Sequence, residues 1–256
     1  MSSVDIILQR VDMETARTPS ELCDWVDSKA SALSETDEGK RFARSGAALP
    51  KKLWEEIRPL GLFAFRRYGL RRDVKCTPNL NNENYDGRID FDGTSLPPIY
   101  VEITYAKDGY DESLRLEVLS ANGSVNRSGR ISISGTKASG HRKVDVENEF
   151  VDHQETRGHA LEIVRERIIN KSDKIYGPNH VLVVVIDDYL PFRTDDDRMI
   201  LAEYAKSVID NVRLDFGEIV LLGSSGNYLC TIYMKSDSQL NTRPLAVLLD
   251  HSPESS

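Results

Sequence analysis

The sequence predicts an α/β protein in which helices flank one mixed β-sheet. Residues 181–186 are all apolar, which is typical of a strand buried on both faces of a sheet. Residues 99–105 alternate in side-chain character and are rich in β-branched and aromatic residues, which favours a second strand. Between them, Ala160 and Val164 recur at helical spacing in a long helix predicted over 153–170. Helices that alternate with strands in this way predict a layered α/β fold.

The other elements follow from local start, stop and periodicity signals. A proline after a polar residue predicts a helix start at Pro19, and a second helix begins near Leu49 and is expected to end at Pro59–Gly61. The remaining predictions are a strand over 85–92, a short helix over 112–119, a helix over 195–212, and a hairpin of strands over 218–223 and 228–234.

The composition predicts one main domain with additions at both ends. A chain of 256 residues buries a substantial core without disulfide or metal support. We expect residues 1–48 to be a helical extension, 49–250 the α/β domain and 251–256 a polar tail. Residues of about 120–150 are rich in glycine, serine and basic side chains and predict a β-hairpin insertion, either solvated or in contact with phosphates.

Charge and hydropathy restrict the classes of partner. The net charge of −8, from 41 acidic and 33 basic residues, argues against non-specific coating of DNA. It leaves open an enzyme whose acidic groups hold a metal. The longest apolar run is too short to span a bilayer, and the N-terminus lacks the long apolar centre of a signal peptide. Three scattered cysteines are typical of reduced thiols, so we expect a cytoplasmic protein with no membrane association.

A pair of carboxylates on neighbouring strands is the most informative feature. Alternation places Ile89 and Phe91 on one face and Asp90 on the other, and in the next strand it separates Glu102 from its apolar neighbours. Twelve residues separate the two acids, which leads us to expect them side by side. Such hard oxygen ligands suit Mg²⁺ or Mn²⁺, which polarises phosphoryl groups and activates water.

The same residues carry a resemblance. Gly87-Arg88-Ile89-Asp90-Phe91-Asp92, followed by Tyr100-Val101-Glu102-Ile103-Thr104, resembles the motif strands of PD-(D/E)XK nucleases, particularly those related to the RecB nuclease domain. The resemblance covers about 49–186. It implies a restriction-endonuclease-like core, Mg²⁺ or Mn²⁺ held by Asp90 and Glu102, and DNA as the substrate in defence or repair. It also implies a glutamate on the upstream helix, Glu55 or Glu56, of which we take Glu56 as the catalytic helper.

The sequence departs from the family at its lysine position, which is Thr104 here. We therefore expect another basic residue to reach the site. Lys107, Lys171 and Lys174 are the candidates, and Lys171 ranks first because the helix before it should pass near the motif strands. Gln154 matches a helix glutamine common in the family.

Other acidic groups have simpler interpretations. Asp86 and Asp92 neighbour glycines and are interpreted as turn residues. Asp187 and Asp188 follow a strand as ordinary loop acids, and residues 195–197 are interpreted as an acidic helix start. Two other function classes stay open: a catalytically inactive descendant of the nuclease fold that binds nucleic acid or protein, and an unrelated α/β interaction protein. The expected partner is nucleic acid, DNA first, with a homodimer also open.

Overall fold

The structure is a computed structural model that describes residues 6–45, 47–81, 83–126, 129–135, 142–146, 152–172 and 174–235. The helices are α1 (Arg10–Met13), α2 (Pro19–Ser34), α3 (Asp37–Arg44), α4 (Ala48–Lys52), α5 (Arg58–Tyr68), α6 (Gly109–Asn122), α7 (His153–Ile169) and α8 (Asp195–Ile209). The strands are β1 (Val74–Pro78), β2 (Gly87–Phe91), β3 (Ile99–Tyr105), β4 (Ile131–Ser134), β5 (Lys143–Val146), β6 (Gly177–Ile186), β7 (Phe216–Gly223) and β8 (Leu229–Met234).

Six strands form one mixed sheet in the order β1-β2-β3-β6-β7-β8. The central strands β3, β6 and β7 are parallel, and antiparallel pairs flank them on both sides. Parallel neighbours require a crossover, which here runs from β3 through α6, β4, β5 and α7 to β6. This confirms the predicted α/β class with a mixed sheet between helices.

Each face of the sheet has its own hydrophobic core. Alternate residues of β6 divide between the two, with Val183 on the face covered by the N-terminal helices and Val184 on the face covered by α7 and α8. Both side chains are fully buried, as expected for a strand covered on both sides. Leu22 and Val26 of α2 belong to the first core, so residues before position 49 pack on the same sheet as the rest of the chain.

The second predicted helix does not end at Pro59–Gly61, and this prediction was wrong. Helix α4 continues through a π-helical turn, Leu53–Ile57, directly into α5, which begins one residue before Pro59. A proline lacks the backbone donor, so it is tolerated where a change of helix type already breaks the α-helical hydrogen-bond pattern. The helical stretch therefore reaches Tyr68.

A buried ion pair joins α5 to the sheet. Arg67 Nη1 lies 2.5 Å from Glu218 Oε2 on β7, and the Thr231 hydroxyl on β8 donates to Glu218 Oε1 at 2.9 Å. Glu218 is fully buried, so its charge depends on these partners for compensation. The pair fixes the position of the helix across the centre of the sheet.

The predicted β-hairpin within the insertion is present as β4 and β5, which pair antiparallel in a separate two-stranded sheet. The predicted polar tail, residues 251–256, lies outside the described residues. Of the helices in the described part of the chain, none has the length and apolar character required to cross a bilayer.

Removing one partner of the buried pair should destabilise the fold. We expect Arg67→Met to lower the free energy of unfolding by about 3–5 kcal/mol, because it leaves the Glu218 charge buried without compensation. The control is Lys40→Met, which removes an exposed ion pair with Asp37 and should cost at most about 1 kcal/mol. Urea denaturation measures both, and equal losses in the two variants would contradict this role for Arg67.

Candidate active site

The register between β2 and β3 decides which acid faces Glu102. The ladder runs from Ile89 opposite Ile99 to Gly87 opposite Val101 and ends there. Asp86, the residue before β2, bonds to the backbone of Val101 and Ile103, on either side of Glu102. The expected neighbour, Asp90, lies opposite position 98, four residues along the strand from Glu102. At 3.2–3.4 Å per residue, four positions are about 13 Å. The structure does not bring Asp90 and Glu102 together, and the acid whose charge acts on Glu102's neighbourhood from this connection is Asp86.

Asp90 has a different environment. Its carboxylate accepts a hydrogen bond from Arg88 Nε at 2.8 Å, and a third of its side chain is exposed. It does point away from the apolar face that holds Ile89 and Phe91, as alternation predicted. The prediction of the sheet face on which Asp90 lies was correct, but the prediction that Asp90 lies beside Glu102 was wrong.

The side chain of Asp86 forms the hydrogen bond that follows the last backbone pair of β2 and β3. The Asp86 backbone N–H donates to Val101 O at 2.8 Å. The next donor on β3, the N–H of Ile103, bonds to Asp86 Oδ2 at 2.7 Å instead of to another backbone carbonyl. The carboxylate therefore replaces a strand residue and is held beside the centre of β3. The interpretation of Asp86 as a plain turn residue was wrong.

Glu102 is a buried carboxylate, with 7% of the residue exposed. Its Oε1 accepts hydrogen bonds from the ammonium group of Lys171 and, at 3.3 Å, from the hydroxyl of Tyr176. Lys171 follows α7 directly, and Tyr176 immediately precedes β6. The return of the crossover to the sheet thus delivers both side chains to Glu102.

Lys171 therefore reaches Glu102 from the crossover, as the sequence predicted. The two other candidates are placed differently. Lys107 Nζ lies 3.0 Å from Glu55 Oε1, and Lys174 is exposed. Thr104, on β3, is partly buried and lies two residues beyond Glu102. Gln154 lies in the first turn of α7, the end of that helix remote from Lys171.

Glu56 joins the site from the π-helical turn. Lys52 Nζ lies 2.6 Å from Glu56 Oε2, and the Glu56 carboxyl group interacts with that of Asp86. The same turn presents the Trp54 carbonyl, which accepts a hydrogen bond from the Tyr105 hydroxyl at 3.0 Å. That bond ties the helix to β3. π-Helical turns are frequent at functional sites because they redirect side chains within a helix.

Crowding of negative charge perturbs the titration of these groups. Burial, followed by the charges of Glu56 and Glu102, raises the pKa of Asp86 to about 7. Burial also raises the pKa of Glu56. Burial and the nearby Glu102 raise the pKa of the Tyr176 hydroxyl, which stays protonated and remains a hydrogen-bond donor. Groups perturbed by burial and specific charge partners are typical of functional sites.

The three carboxyl groups do not form a ready-made metal cage. Within the described ranges, no group of three or more His, Cys, Asp or Glu side chains is placed to hold a metal ion. The lysines on Glu102 and Glu56 and the Ile103 N–H on Asp86 engage the oxygens that would serve as ligands. Carboxylate oxygens nevertheless suit a hard cation. Burial raises the pKa of Asp86 most, and the charges of Glu56 and Glu102 add to it.

Other acids named from the sequence have structural roles. Asp188 is buried and accepts hydrogen bonds from the Ser225 N–H at 2.9 Å and from two serine hydroxyls in the β7–β8 turn. Asp197 caps α8 through Thr194 and pairs with Arg157 at 2.7 Å. Both are held by local partners remote from the cluster of Glu56, Asp86 and Glu102.

Comparison with protein-family models, with curated proteins and with solved structures finds no match for this chain.

Asp86→Asn should remove a pH-dependent cost of folding. A carboxyl whose pKa rises on folding, here from 3.8 to about 7, makes the folded state lose stability as pH rises through that window. The variant should show a smaller loss between pH 4 and pH 8. At pH 8 we expect it to be more stable than the parent by about 1–4 kcal/mol, the equivalent of one to three pKa units.

The matched control is Asp90→Asn, four residues further along the chain, whose partly exposed carboxylate pairs with Arg88. It should leave the pH profile unchanged and alter stability by about 0.5 kcal/mol or less. Urea denaturation at a series of pH values distinguishes the two. If the free energy of unfolding of Asp86→Asn changes with pH in parallel with that of the parent, the pKa of Asp86 is not raised on folding.

Proposed function

We propose that this protein is a divalent-metal-dependent nuclease that hydrolyses phosphodiester bonds in DNA. The observation that carries the proposal is the contact of buried Glu102 with Lys171, beside Asp86 whose pKa is raised to about 7. A stable fold does not require two acids of the same charge beside each other. Their crowding costs stability, which is typical of groups retained for chemistry.

Asp86 and Glu102 are the residues that would hold Mg²⁺ or Mn²⁺, through carboxylate oxygens. The ion, when bound, supplies an activated water and neutralises charge on the phosphate. The protein holds the two carboxylates from different directions, one through the Ile103 N–H and the other through Tyr176 and Lys171. Both ligands are thus pre-positioned, which limits the reorganisation that binding demands.

Lys171 supplies the positive charge that Thr104 lacks. An ammonium group beside Glu102 is placed to orient a water and to stabilise the negative charge that develops on the phosphate. Glu56 is a positioning residue in this scheme. It interacts with Asp86 and with Lys52, so it controls the protonation of Asp86 rather than contacting substrate.

One observation favours a second candidate, a binding module on the same scaffold that does not catalyse. Lys171 and Lys52 already neutralise Glu102 and Glu56 in part, and in a non-catalytic protein such ion pairs serve only to compensate buried charge. The two proposals differ in the effect of divalent cations. A nuclease should be stabilised by them, whereas a module with purely structural ion pairs should not.

The cellular setting follows the same proposal. The three cysteines, Cys23, Cys76 and Cys230, are all free, which supports a reducing compartment such as the cytoplasm. A homodimer stays a prediction from the sequence.

Cleavage should require the proposed carboxylate pair and the lysine. With plasmid and single-stranded DNA in Mg²⁺ or Mn²⁺, Asp86→Asn and Glu102→Gln should abolish cleavage, and Lys171→Met should lower the rate about 100-fold or more. EDTA should abolish the activity of the parent. Gel assays measure cleavage, and a thermal shift with Mn²⁺ should appear in the parent but not in Asp86→Asn.

Two variants serve as controls for that experiment. Asp90→Asn and Lys174→Met should cleave as fast as the parent, because neither side chain reaches Glu102. Loss of cleavage in Asp90→Asn with full activity in Asp86→Asn would show that the site is formed by Asp90 and Glu102, the pair expected from the sequence. Absence of both cleavage and a Mn²⁺-induced shift in the parent would favour the binding module.

A further inference from the structure

A row of aromatic rings crosses the sheet beside the carboxylates. Tyr100 lies directly across β3 and β6 from His180, with stacked rings whose centroids are 4.9 Å apart. On its other side, the ring of Tyr85 lies 4.8 Å from that of Tyr100. All three residues are partly exposed, and Tyr100 shares a face of β3 with Glu102, two residues along the strand. We define Tyr85, Tyr100 and His180 as the aromatic row.

The row ends in a cleft. Tyr85, its terminal ring, lines a surface cleft of about 260 Å³ together with Arg88, Asn79 and Asn81. Glu14, Glu83 and Thr77 complete the polar part of the lining. The Tyr85 ring is tilted by 52° against that of Tyr100 and lines the cleft, so a planar group fits against its cleft-facing side.

The chemistry of the cleft suits an unpaired nucleobase joined to a phosphate. Asn79 holds the segment that carries the ring, because its Nδ2 donates to the Tyr85 carbonyl at 3.0 Å. Arg88 lies opposite Tyr100 in the ladder and extends from the sheet, with 46% of its side chain exposed. Of the two glutamates, Glu14 pairs with Arg10 at 3.3 Å, and Arg10 also donates to Asn81 at 2.7 Å. Glu83 forms a side-chain hydrogen bond with Tyr85.

We infer that Tyr85 is a stacking platform for an unpaired base, so that the substrate of the proposed nuclease is single-stranded DNA. This inference rests on the proposed function for the identity of the reaction. Tyr85 and Asp86 are consecutive, so a nucleotide whose base stacks on Tyr85 carries its phosphate next to Asp86 and Glu102. A blunt duplex keeps its bases paired, so none of them is available to stack on Tyr85.

Binding without cleavage tests this inference separately from the proposed function. Fluorescence anisotropy in EDTA measures the affinity for a labelled single-stranded oligonucleotide, for the same strand with abasic sites, and for a blunt duplex. Tyr85→Ala should weaken binding of the intact strand about tenfold or more, the range expected for loss of one stacked base. Tyr85→Phe keeps the ring and should bind within about twofold of the parent.

The control is Tyr110→Ala, which removes a tyrosine that is 62% exposed and lies outside the row. It should bind like the parent. The abasic strand and the duplex should bind the parent as weakly as the intact strand binds Tyr85→Ala. Equal affinity of Tyr85→Ala and Tyr110→Ala, or a preference for the duplex or the abasic strand, would overturn the inference.

The two proposals fail in different ways. If Asp86→Asn keeps cleaving while Tyr85→Ala loses binding, the catalytic assignment is wrong and the stacking platform stands. If Asp86→Asn loses cleavage while Tyr85→Ala binds normally, the nuclease stands and its selection of single strands through Tyr85 is overturned.

Discussion

The pairing register of β2 against β3 is the constraint on which the site depends. The ladder ends at Gly87 opposite Val101, and the Asp86 side chain accepts a hydrogen bond from the Ile103 N–H, beside Glu102. A shift of the register by one residue would send the opposing side chain to the other face of the sheet. Burial of Ile89 and Val101 in the first hydrophobic core opposes such a shift, so packing on one face holds the carboxylates on the other.

Two further elements bring charge to this point, and each is held there by a specific contact. The π-helical turn carries Glu56 and is tied to β3 by the Tyr105–Trp54 hydrogen bond. The crossover returns to the sheet at Tyr176 and so delivers Lys171 to Glu102. Burial, with the charges of Glu56 and Glu102, keeps the pKa of Asp86 raised. This cluster of carboxyl groups supports the proposed cation, and the adjoining aromatic row supports the proposed unpaired base.

Much of the fold follows from local patterns in the sequence. The continuous apolar character of 181–186 predicted the doubly covered strand, and the spacing of 153–170 predicted α7. Glu102 and Lys171 were found because alternation and chain order suffice to place them. Asp86 was missed because the β2–β3 connection is asymmetric. Its ladder is centred on position 94, whereas the glycine and proline signals at 93–98 suggest a later centre. The register of two strands depends on how their side chains pack against each other, and the sequence pattern of one strand alone does not show this.

The central claim, that Asp86 and Glu102 hold a divalent cation, is tested most directly by counting protons as the ion binds. Calorimetric titration of Mn²⁺ at pH 7 in two buffers of different ionisation enthalpy gives that number. A carboxyl with a pKa of about 7 is about half protonated there and must release its proton to a metal. We expect one Mn²⁺ per chain with release of about half a proton, and no such release in Asp86→Asn. No binding by the parent, or the same proton count in Asp86→Asn, would contradict the account.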